Sequence, residues 1–262
     1  MADEWDKPLS ERMHLEMSKT QREHVWGTWL VSFRSPADIL RIEPTFLVCE
    51  LLFYTLALLT FLHAWRTGRR YRWLWFTTVA HGLMTECVSY WWADIDNFWH
   101  AQSMVMCFGW REPLHIILLY PGFIYTANIA VARLNLTENV QPFAAALLVL
   151  LIDIPYDIMG IKLLWWTWHD TDSNIYDRHY WVPWNSYLFH MTFACTFTFL
   201  VNYGRRYFTG LSGLYSEDEV EAMPYSRRQK AENWRGELCV LLLAGFLSMP
   251  LGCAQFAPWY HW

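Results

Sequence analysis

The sequence predicts an all-α fold, a polytopic membrane bundle of about six transmembrane helices within a single domain. Of its 262 residues, 54% are hydrophobic and 18 are Trp, a composition typical of proteins in contact with lipid rather than of soluble domains. Six apolar stretches of about 20 residues are each long enough to cross a hydrocarbon core of about 30 Å as a helix. They cover approximately residues 44–64, 73–92, 113–132, 142–166, 182–203 and 238–257.

An N-terminal segment, residues 1–43, precedes the helical domain, which is predicted to occupy residues 44–262. The segment begins with charged residues and lacks a continuous apolar run, so we expect no cleavable signal peptide. Its end, HVWGTWLVSF, is predicted to be an amphipathic piece that lies in the membrane interface. In the long connector 204–237, Ser216 and Glu219 fit a capping box that opens a short helix.

Basic residues are concentrated in the first, third and fifth connectors, whereas the second and fourth contain only Arg111 and Arg178. The positive-inside rule therefore predicts that the odd connectors are cytoplasmic, and that the even connectors and both termini are not. On this topology the sequon at Asn135 is cytoplasmic and carries no glycan.

Composition also limits the partners and the cofactors. The net charge of -5 is modest and no basic run is interleaved with aromatic residues, so we expect membrane lipids and an apolar small molecule as partners, and no nucleic acid. Five of the six cysteines lie in predicted spans, which argues against a disulfide framework.

Two acidic residues inside the fourth predicted span, Asp153 and Asp157, are four residues apart and therefore share one helical face, with Pro155 between them. Each Asp near a bilayer centre costs about 2.5 to 3.5 kcal/mol, so this face is predicted to point into the bundle. We expect the two carboxyl groups not to ionise together. They would act as a proton donor or a cation ligand, or form a structural pair bonded to a neighbour such as Lys162.

Further ionisable residues approach the same, non-cytoplasmic end of the bundle. They include Glu86 in the second span, and the whole group comprises Glu86, Asp94, Asp96, His100, Glu112, His115, His169, Asp170, Asp172, Asp177, His179 and His190. Many tryptophans also fall at span ends, where a belt at the headgroup level is expected. A minority of the aromatic side chains would line a pocket for a long apolar ligand.

Three chemistries fit this group. A divalent metal ion would activate water, with His100, His115, His169 and Asp172 as weak candidate ligands. Carboxylic acids would protonate an alkene or activate water directly, and the same groups would relay protons or ions. The sequence contains no HExxH motif, no zinc-spaced Cys pair, no GxSxG elbow and no P-loop.

Four stretches, ECVSYWW, REPLHIILLYPGFIYTANIAVARL, LLIDIPYDIMGIKLLWWTW and YWVPWNS, resemble in order and spacing the carotenoid-biosynthesis membrane protein family. That family includes carotenoid hydratases, which add water across a terminal isoprenoid double bond. The chain departs from the family pattern at Ile158, where Pro is usual, and at Trp181, where Gly is expected. The chain resembles more closely an uncharacterised eukaryotic multi-pass membrane family marked by the IDNFWH and WTWHDTD stretches.

The sequence and this resemblance together predict a hydratase- or hydrolase-like membrane enzyme, a lyase in the hydratase case, acting on an isoprenoid or another lipid. Asp153 and Asp157 would supply and accept the proton, and Glu86 would orient water. His169, Asp170 and Asp172 would form the polar mouth. The predicted substrate-binding residues are Trp166, Trp168, Tyr180, Trp184, His190 and His115. The alternatives are a transporter or proton-conducting protein and a non-catalytic membrane scaffold.

Overall fold

The computed structural model describes residues 29–91, 98–168 and 176–260, and this part of the chain is mostly helical. The helices are, in chain order, α1 (Pro36–Ile42), α2 (Pro44–Thr67), α3 (Arg69–Trp91), α4 (Leu114–Tyr120), α5 (Thr126–Val131), α6 (Gln141–Lys162), α7 (Trp184–Thr209), α8 (Glu217–Glu221), α9 (Tyr225–Ala231) and α10 (Trp234–Tyr260). A π-helical turn, Pro121–Tyr125, joins α4 to α5, so these two helices form one continuous segment.

Six long helical segments therefore lie over the six predicted apolar stretches within the described residues. Four of the segments are long and apolar enough to cross a membrane: Pro44–Thr67, Leu114–Val131, Gln141–Lys162 and the segment that contains α10. α3 and α7 are long but less apolar, because each carries buried polar and charged side chains such as Glu86, Asn185 and Arg205. The structure therefore supports a membrane protein with four candidate spans, whereas the sequence predicts about six.

Proline and glycine explain several helix boundaries. α2 and α6 begin with Pro at the first or second position, where a missing N–H leaves no donor unpaired. α7 ends at Thr209 and is capped by Gly210, whose φ of 74° is left-handed and favours glycine. The predicted capping box is present at the start of α8, where the Glu219 carboxylate accepts from the Ser216 backbone N–H. All six cysteines are free thiols, as expected.

An apolar cluster joins the helices of the bundle, and the third long segment lies at the centre of the bundle. α10 packs against α7 and α3, and α6 packs against α7. Buried Leu74, Ile124, Phe197, Val201 and Ala244 belong to one cluster that joins these helices. In the Leu114–Val131 segment 72% of the apolar window is buried inside the protein, against 33% to 39% for the other candidate spans. This segment is therefore surrounded mostly by other helices.

The expectation of helices alone is incomplete, because the described chain also contains short strands. β1 (Val31–Phe33), β3 (Val105–Cys107) and β4 (Glu112–Pro113) form an antiparallel sheet, β2 (Phe98–His100) pairs with β5 (Trp166–Trp168), and β6 (Arg178–His179) pairs with β7 (Val182–Pro183). Aromatic and β-branched residues favour this geometry, and the pairing satisfies backbone groups beyond the helix ends. The described end of the predicted amphipathic piece is strand β1.

The strands gather at the end of the bundle where α3 and α6 end and α4 and α7 begin. α6 stops at Lys162, earlier than the predicted span end at residue 166, and Leu164 turns the chain with a φ of 58°. Trp165 then donates its N–H to the Gly160 carbonyl at 2.8 Å, which directs the chain into β5. The even connectors thus hold the folded structure that covers the predicted polar end.

Candidate functional site

Asp153 and Asp157 point into the bundle, as the sequence predicts. Their exposed fractions are 1% and 4%, whereas Leu151 and Met159 on other faces of α6 are exposed. Asp157 lies five residues before the end of α6, about 7.5 Å along the helix from the strand-bearing end. The two carboxyl groups are also within hydrogen-bonding range of each other. Two buried carboxyl groups in contact share a proton, because two anions so close would repel each other.

The first turns of α7 supply the partners of this carboxyl pair. Ser186 Oγ donates a hydrogen bond of 2.7 Å to Asp157 Oδ2, and His190 Nδ1 lies 3.2 Å from Asp153 Oδ2. Ser186 and His190 are one helical turn apart and therefore face α6 together. Lys162, the partner considered from the sequence, lies elsewhere, because its Nζ is 5.7 Å from the Tyr180 ring centroid.

The His190 ring is oriented by its Nδ1 atom. Nδ1–H donates to the Ser186 carbonyl oxygen at 2.8 Å and faces Asp153, so Nε2 lies on the opposite edge of the ring. Among the residues that the structure describes, Nε2 has no hydrogen-bond partner. The side chain is 24% exposed, and residues 186–192 of α7 are all half-buried. The imidazole therefore connects a buried carboxyl pair to an accessible surface.

A second polar cluster lies at the same end and comprises Glu86, Glu112 and His100. Each offers a ligand atom within 4.8 Å of the others, and the two glutamates hydrogen-bond each other. Tyr120 Oη donates to Glu86 Oε1 at 2.6 Å. Tyr120 approaches α3 closely because its neighbour there is Gly82, where a Cβ would lie 2.5 Å from the ring.

Burial dominates the electrostatics of the two cluster members that lie in the connectors. Burial and, next, the charge of Glu86 raise the pKa of Glu112 well above its ordinary value. Burial, with a smaller contribution from Arg111, lowers the pKa of His100 to about 3. His100 is therefore a neutral imidazole at physiological pH, with a lone pair on one ring nitrogen.

His115 lies beside this cluster, fully buried between aromatic rings. Its centroid is 5.3 Å from that of Phe46 and 6.2 Å from that of Phe53. It interacts electrostatically with His100. Neither of its ring nitrogens has a hydrogen-bond partner in the described ranges. A buried imidazole without hydrogen bonds is costly, so this position is unlike an ordinary core residue.

Tyr156 lies between the two clusters. It interacts electrostatically with Asp153, Asp157 and Glu86, and its ring centroid is 4.7 Å from that of Trp166 and 4.9 Å from that of Phe53. Of the predicted acids and histidines, Glu86, His100, Glu112, His115, Asp153, Asp157 and His190 thus converge at one end. They form two clusters on either side of an aromatic centre, and not the single polar chamber that the sequence suggested.

The predicted aromatic site residues have different environments. Trp166 is buried with Trp165 in an apolar cluster, so these two rings are core residues and not members of a headgroup belt. Trp168 and Trp184 are half-buried, whereas Tyr180 is exposed. Trp166 covers Gly160 so closely that a Cβ there would collide with its ring.

Several predicted residues are not part of either cluster. His169, Asp170, Asp172, Asp94 and Asp96 lie outside the described residues, so the predicted polar mouth has no structural account. Asp177 is exposed, and the exposed His179 contacts the Tyr187 hydroxyl at 3.0 Å. This placement separates His179 and Asp177 from the buried carboxyl pair.

Sequence reasoning missed Glu50 in α2. Glu50 is fully buried and accepts hydrogen bonds from the Tyr54 hydroxyl at 2.7 Å and from the Met104 backbone N–H at 2.9 Å. The rule that singled out Asp153, an ionisable side chain inside an apolar span, applies equally to Glu50. Its satisfied hydrogen bonds give it a structural role at the base of the β3 turn.

Comparison with known proteins gives a family and no activity. The family profile with the description Domain of unknown function (DUF7802) matches residues 9–262. No curated protein and no solved structure matches the chain.

Proposed function

The chain belongs to the DUF7802 family, whose function is unknown, and we propose from the geometry of its site that it is a membrane enzyme. It uses acid-base groups to add water to, or remove water from, an apolar lipid substrate. The resemblance to carotenoid hydratases favours an isoprenoid alkene as that substrate. The observation that carries the proposal is the 3.2 Å approach of His190 Nδ1 to Asp153, on an imidazole whose other edge is accessible.

The arrangement supports a complete proton cycle. The proton held by the Asp153–Asp157 pair is transferred to one carbon of the double bond, and water adds to the other carbon. His190 Nε2 accepts a proton from that water as it attacks, and Nδ1 passes its own proton to Asp153. The alkene gains one water molecule, and the carboxyl pair returns to its starting state. The imidazole is left with its proton on Nε2, its accessible edge, and regains the Nδ1–H tautomer by proton exchange with water.

Ser186 and the surrounding rings favour this chemistry over a purely structural role. The Ser186 hydroxyl holds Asp157 at 2.7 Å and its carbonyl holds His190 at 2.8 Å, so one residue fixes both members of the site. Phe189 packs against Phe193 with ring centroids 4.1 Å apart, which gives the accessible face of α7 an apolar surface beside the imidazole. An apolar chain with one reactive double bond fits such a surface.

The apolar core disfavours the transporter alternative. Leu74, Phe197 and Ala244 lie between the acidic clusters at one end and the buried charges Arg205 and Glu237 at the other. The buried polar residues His81 and Ser248 at this level are within 2.7 Å of each other, and the His81 ring packs against Phe197. Transport needs a polar path across the bundle, and buried hydrocarbon at this level opposes ion passage. Acid-base chemistry at one end needs no such path.

The test uses the full chain, purified and reconstituted in liposomes that contain acyclic isoprenoid alkenes and a natural membrane lipid extract. The liposomes are incubated in water labelled with heavy oxygen, and mass spectrometry detects lipids that have acquired the label. We expect label incorporation by the wild type and its loss in Asp157→Asn and His190→Gln. Asp218→Asn, on the exposed helix α8, is the matched control and should behave as the wild type.

Two outcomes contradict the proposal. If the wild type produces no labelled lipid, the proposed enzymatic activity is contradicted. Unchanged turnover in Asp157→Asn and His190→Gln would remove these residues from the chemistry. Proton or ion flux in the same liposomes, lost in Asp157→Asn and without a lipid product, would instead support the transporter alternative.

A further inference from the structure

The cluster of Glu86, Glu112 and His100 has a composition that differs from that of the Asp153 site. It combines two carboxylates from different elements with an imidazole, and its ligand atoms all lie within 4.8 Å of one another. Glu86 comes from α3, Glu112 from β4 and His100 from β2, so three separate elements converge on one point. Burying two acids together is costly, so a further interaction is needed to compensate this cost.

Two further observations indicate that this cluster binds a ligand. Glu112 is only 4% exposed, and its Oε1 atom has no hydrogen-bond partner among the residues described. Fully buried His115, which interacts with His100, likewise leaves both ring nitrogens unpaired. Native proteins rarely leave such donors and acceptors buried and unsatisfied, so an additional group is expected here.

We propose that Glu86, Glu112 and His100 bind a divalent first-row transition metal ion, with His115 as the adjoining imidazole. A doubly charged cation balances the two carboxylates, so the cluster becomes neutral and its burial less costly. The mixed imidazole and carboxylate donors fit zinc, manganese or iron better than calcium or magnesium, which prefer oxygen ligands alone.

Neighbouring residues supply the outer support that metal ligands usually have. The Tyr120 hydroxyl donates to Glu86 Oε1 at 2.6 Å, which orients that carboxylate. β2 is held by pairing with β5 in a register that sets His100 opposite Trp166. The Arg111 guanidinium lies 4.5 Å from the Trp99 ring centroid and 4.7 Å from that of Tyr90. His100 and Glu112 therefore sit on a connector fixed at several points, and Glu86 sits on helix α3 beside it.

The test measures zinc binding by the purified full chain after treatment with a strong chelator. Zinc alone is titrated in competition with a colorimetric indicator, and the bound metal is counted by elemental analysis after gel filtration. We expect about one zinc ion per wild-type chain, and a loss of affinity of at least about 10-fold in Glu112→Gln and His100→Asn. Asp157→Asn, which alters the other cluster, should bind zinc as the wild type does.

Separate readouts keep the result interpretable. Helicity and elution volume show whether Glu112→Gln has folded, and X-ray absorption at the zinc edge of the wild type reports the ligands directly. Oxygen and imidazole nitrogen ligands support the proposal. A folded wild type that binds no zinc, zinc affinity lost in Asp157→Asn but kept in Glu112→Gln, or a sulfur ligand each overturns it. Zinc binding is measured without substrate, so this result is independent of the outcome of the lipid-labelling experiment.

Discussion

Arg205 and Glu237 form a two-point contact inside the bundle, in which Arg205 Nε and Nη2 lie 3.1 and 3.0 Å from Glu237 Oε2. Arg70 Nε approaches the same carboxylate, at 3.3 Å from Oε1. Arg70 also donates to the Leu211 and Gly213 carbonyl oxygens at 2.7 and 2.6 Å. One buried carboxylate therefore holds two guanidinium groups and ties α3, α7 and α10 together at the end opposite to the two clusters.

Removing this carboxylate charge should strongly destabilise the protein. In Glu237→Gln, two buried guanidinium groups lose their shared counter-ion, and we expect a loss of about 3 to 5 kcal/mol in the free energy of unfolding. Equilibrium unfolding in mixed micelles measures this loss. The control is Glu138→Gln, which breaks a half-exposed pair with Arg206 and should cost about 1 kcal/mol or less. Equal losses in the two variants would show that the buried network contributes no more to the free energy of unfolding than the half-exposed pair does.

A methyl group at Gly160 should disturb the packing beneath the candidate site. Gly160→Ala places a Cβ into the Trp166 ring, and we expect a loss of about 1 to 3 kcal/mol together with a change in Trp fluorescence. Gly204→Ala is the matched control within a helix, since its Cβ would meet Leu243 and Val240 at 3.1 and 3.3 Å. These side-chain methyl groups can shift slightly, so the loss should be smaller. The prediction fails if Gly160→Ala is tolerated as well as Gly204→Ala.

The hydrogen bond from Tyr120 to Glu86 should contribute both to stability and to the geometry of the proposed metal site. Tyr120→Phe leaves a buried carboxyl oxygen without its donor, and we expect a loss of about 1 to 3 kcal/mol in the free energy of unfolding. Zinc affinity should fall by about 10-fold or more, as when other outer-sphere partners are removed. Tyr203→Phe, at an exposed position on α7, is the control and should change neither quantity. Unaltered stability in Tyr120→Phe would contradict the assigned hydrogen bond.

The predicted topology can be tested at Asn135. This residue is exposed, in a turn with a φ of 51°, so burial would not prevent glycosylation of its sequon. Because we predict that its connector is cytoplasmic, the protein produced in eukaryotic cells should show no mobility shift after glycosidase treatment. Pro8→Asn creates the sequon Asn-Leu-Ser in the predicted non-cytoplasmic N-terminal segment, and that variant should be glycosylated. A glycan at Asn135, and none at position 8 of the Pro8→Asn variant, would invert the topology.

The helices were predictable because a span needs length and apolar composition, and both are written locally in the sequence. The inward orientation of Asp153 and Asp157 was predictable for a similar reason, since two acids on one face cannot be placed against acyl chains at low cost. The short strands were not predicted. Their formation depends on pairing between segments distant in sequence, such as β2 with β5, and no local periodicity reports such pairing.

The partners of the acids were also beyond local reasoning. Lys162 is near Asp157 along the chain, but its direction on α6 takes it to Tyr180, while His190 reaches Asp153 from another helix. One pattern, which occurs in both even connectors, could have indicated where these connectors place their polar residues. Trp110 and Trp181 both have positive φ, and each is followed within three residues by a Pro that directly precedes a long helix. Two similar hairpins therefore deliver Glu112 and Ser186 to equivalent ends of the bundle.

The central position of the Leu114–Val131 segment changes which side chains it can carry. Side chains on an outer helix contact acyl chains, where apolar groups are favourable and charged groups are costly. Side chains on an enclosed helix contact neighbouring helices instead, and a polar group is tolerated there wherever a hydrogen-bond partner lies within reach. His115, Tyr120 and Asn128 can occur on one segment for this reason. The π turn, by inserting an extra residue into a helical turn, lets that segment present polar atoms in more than one direction.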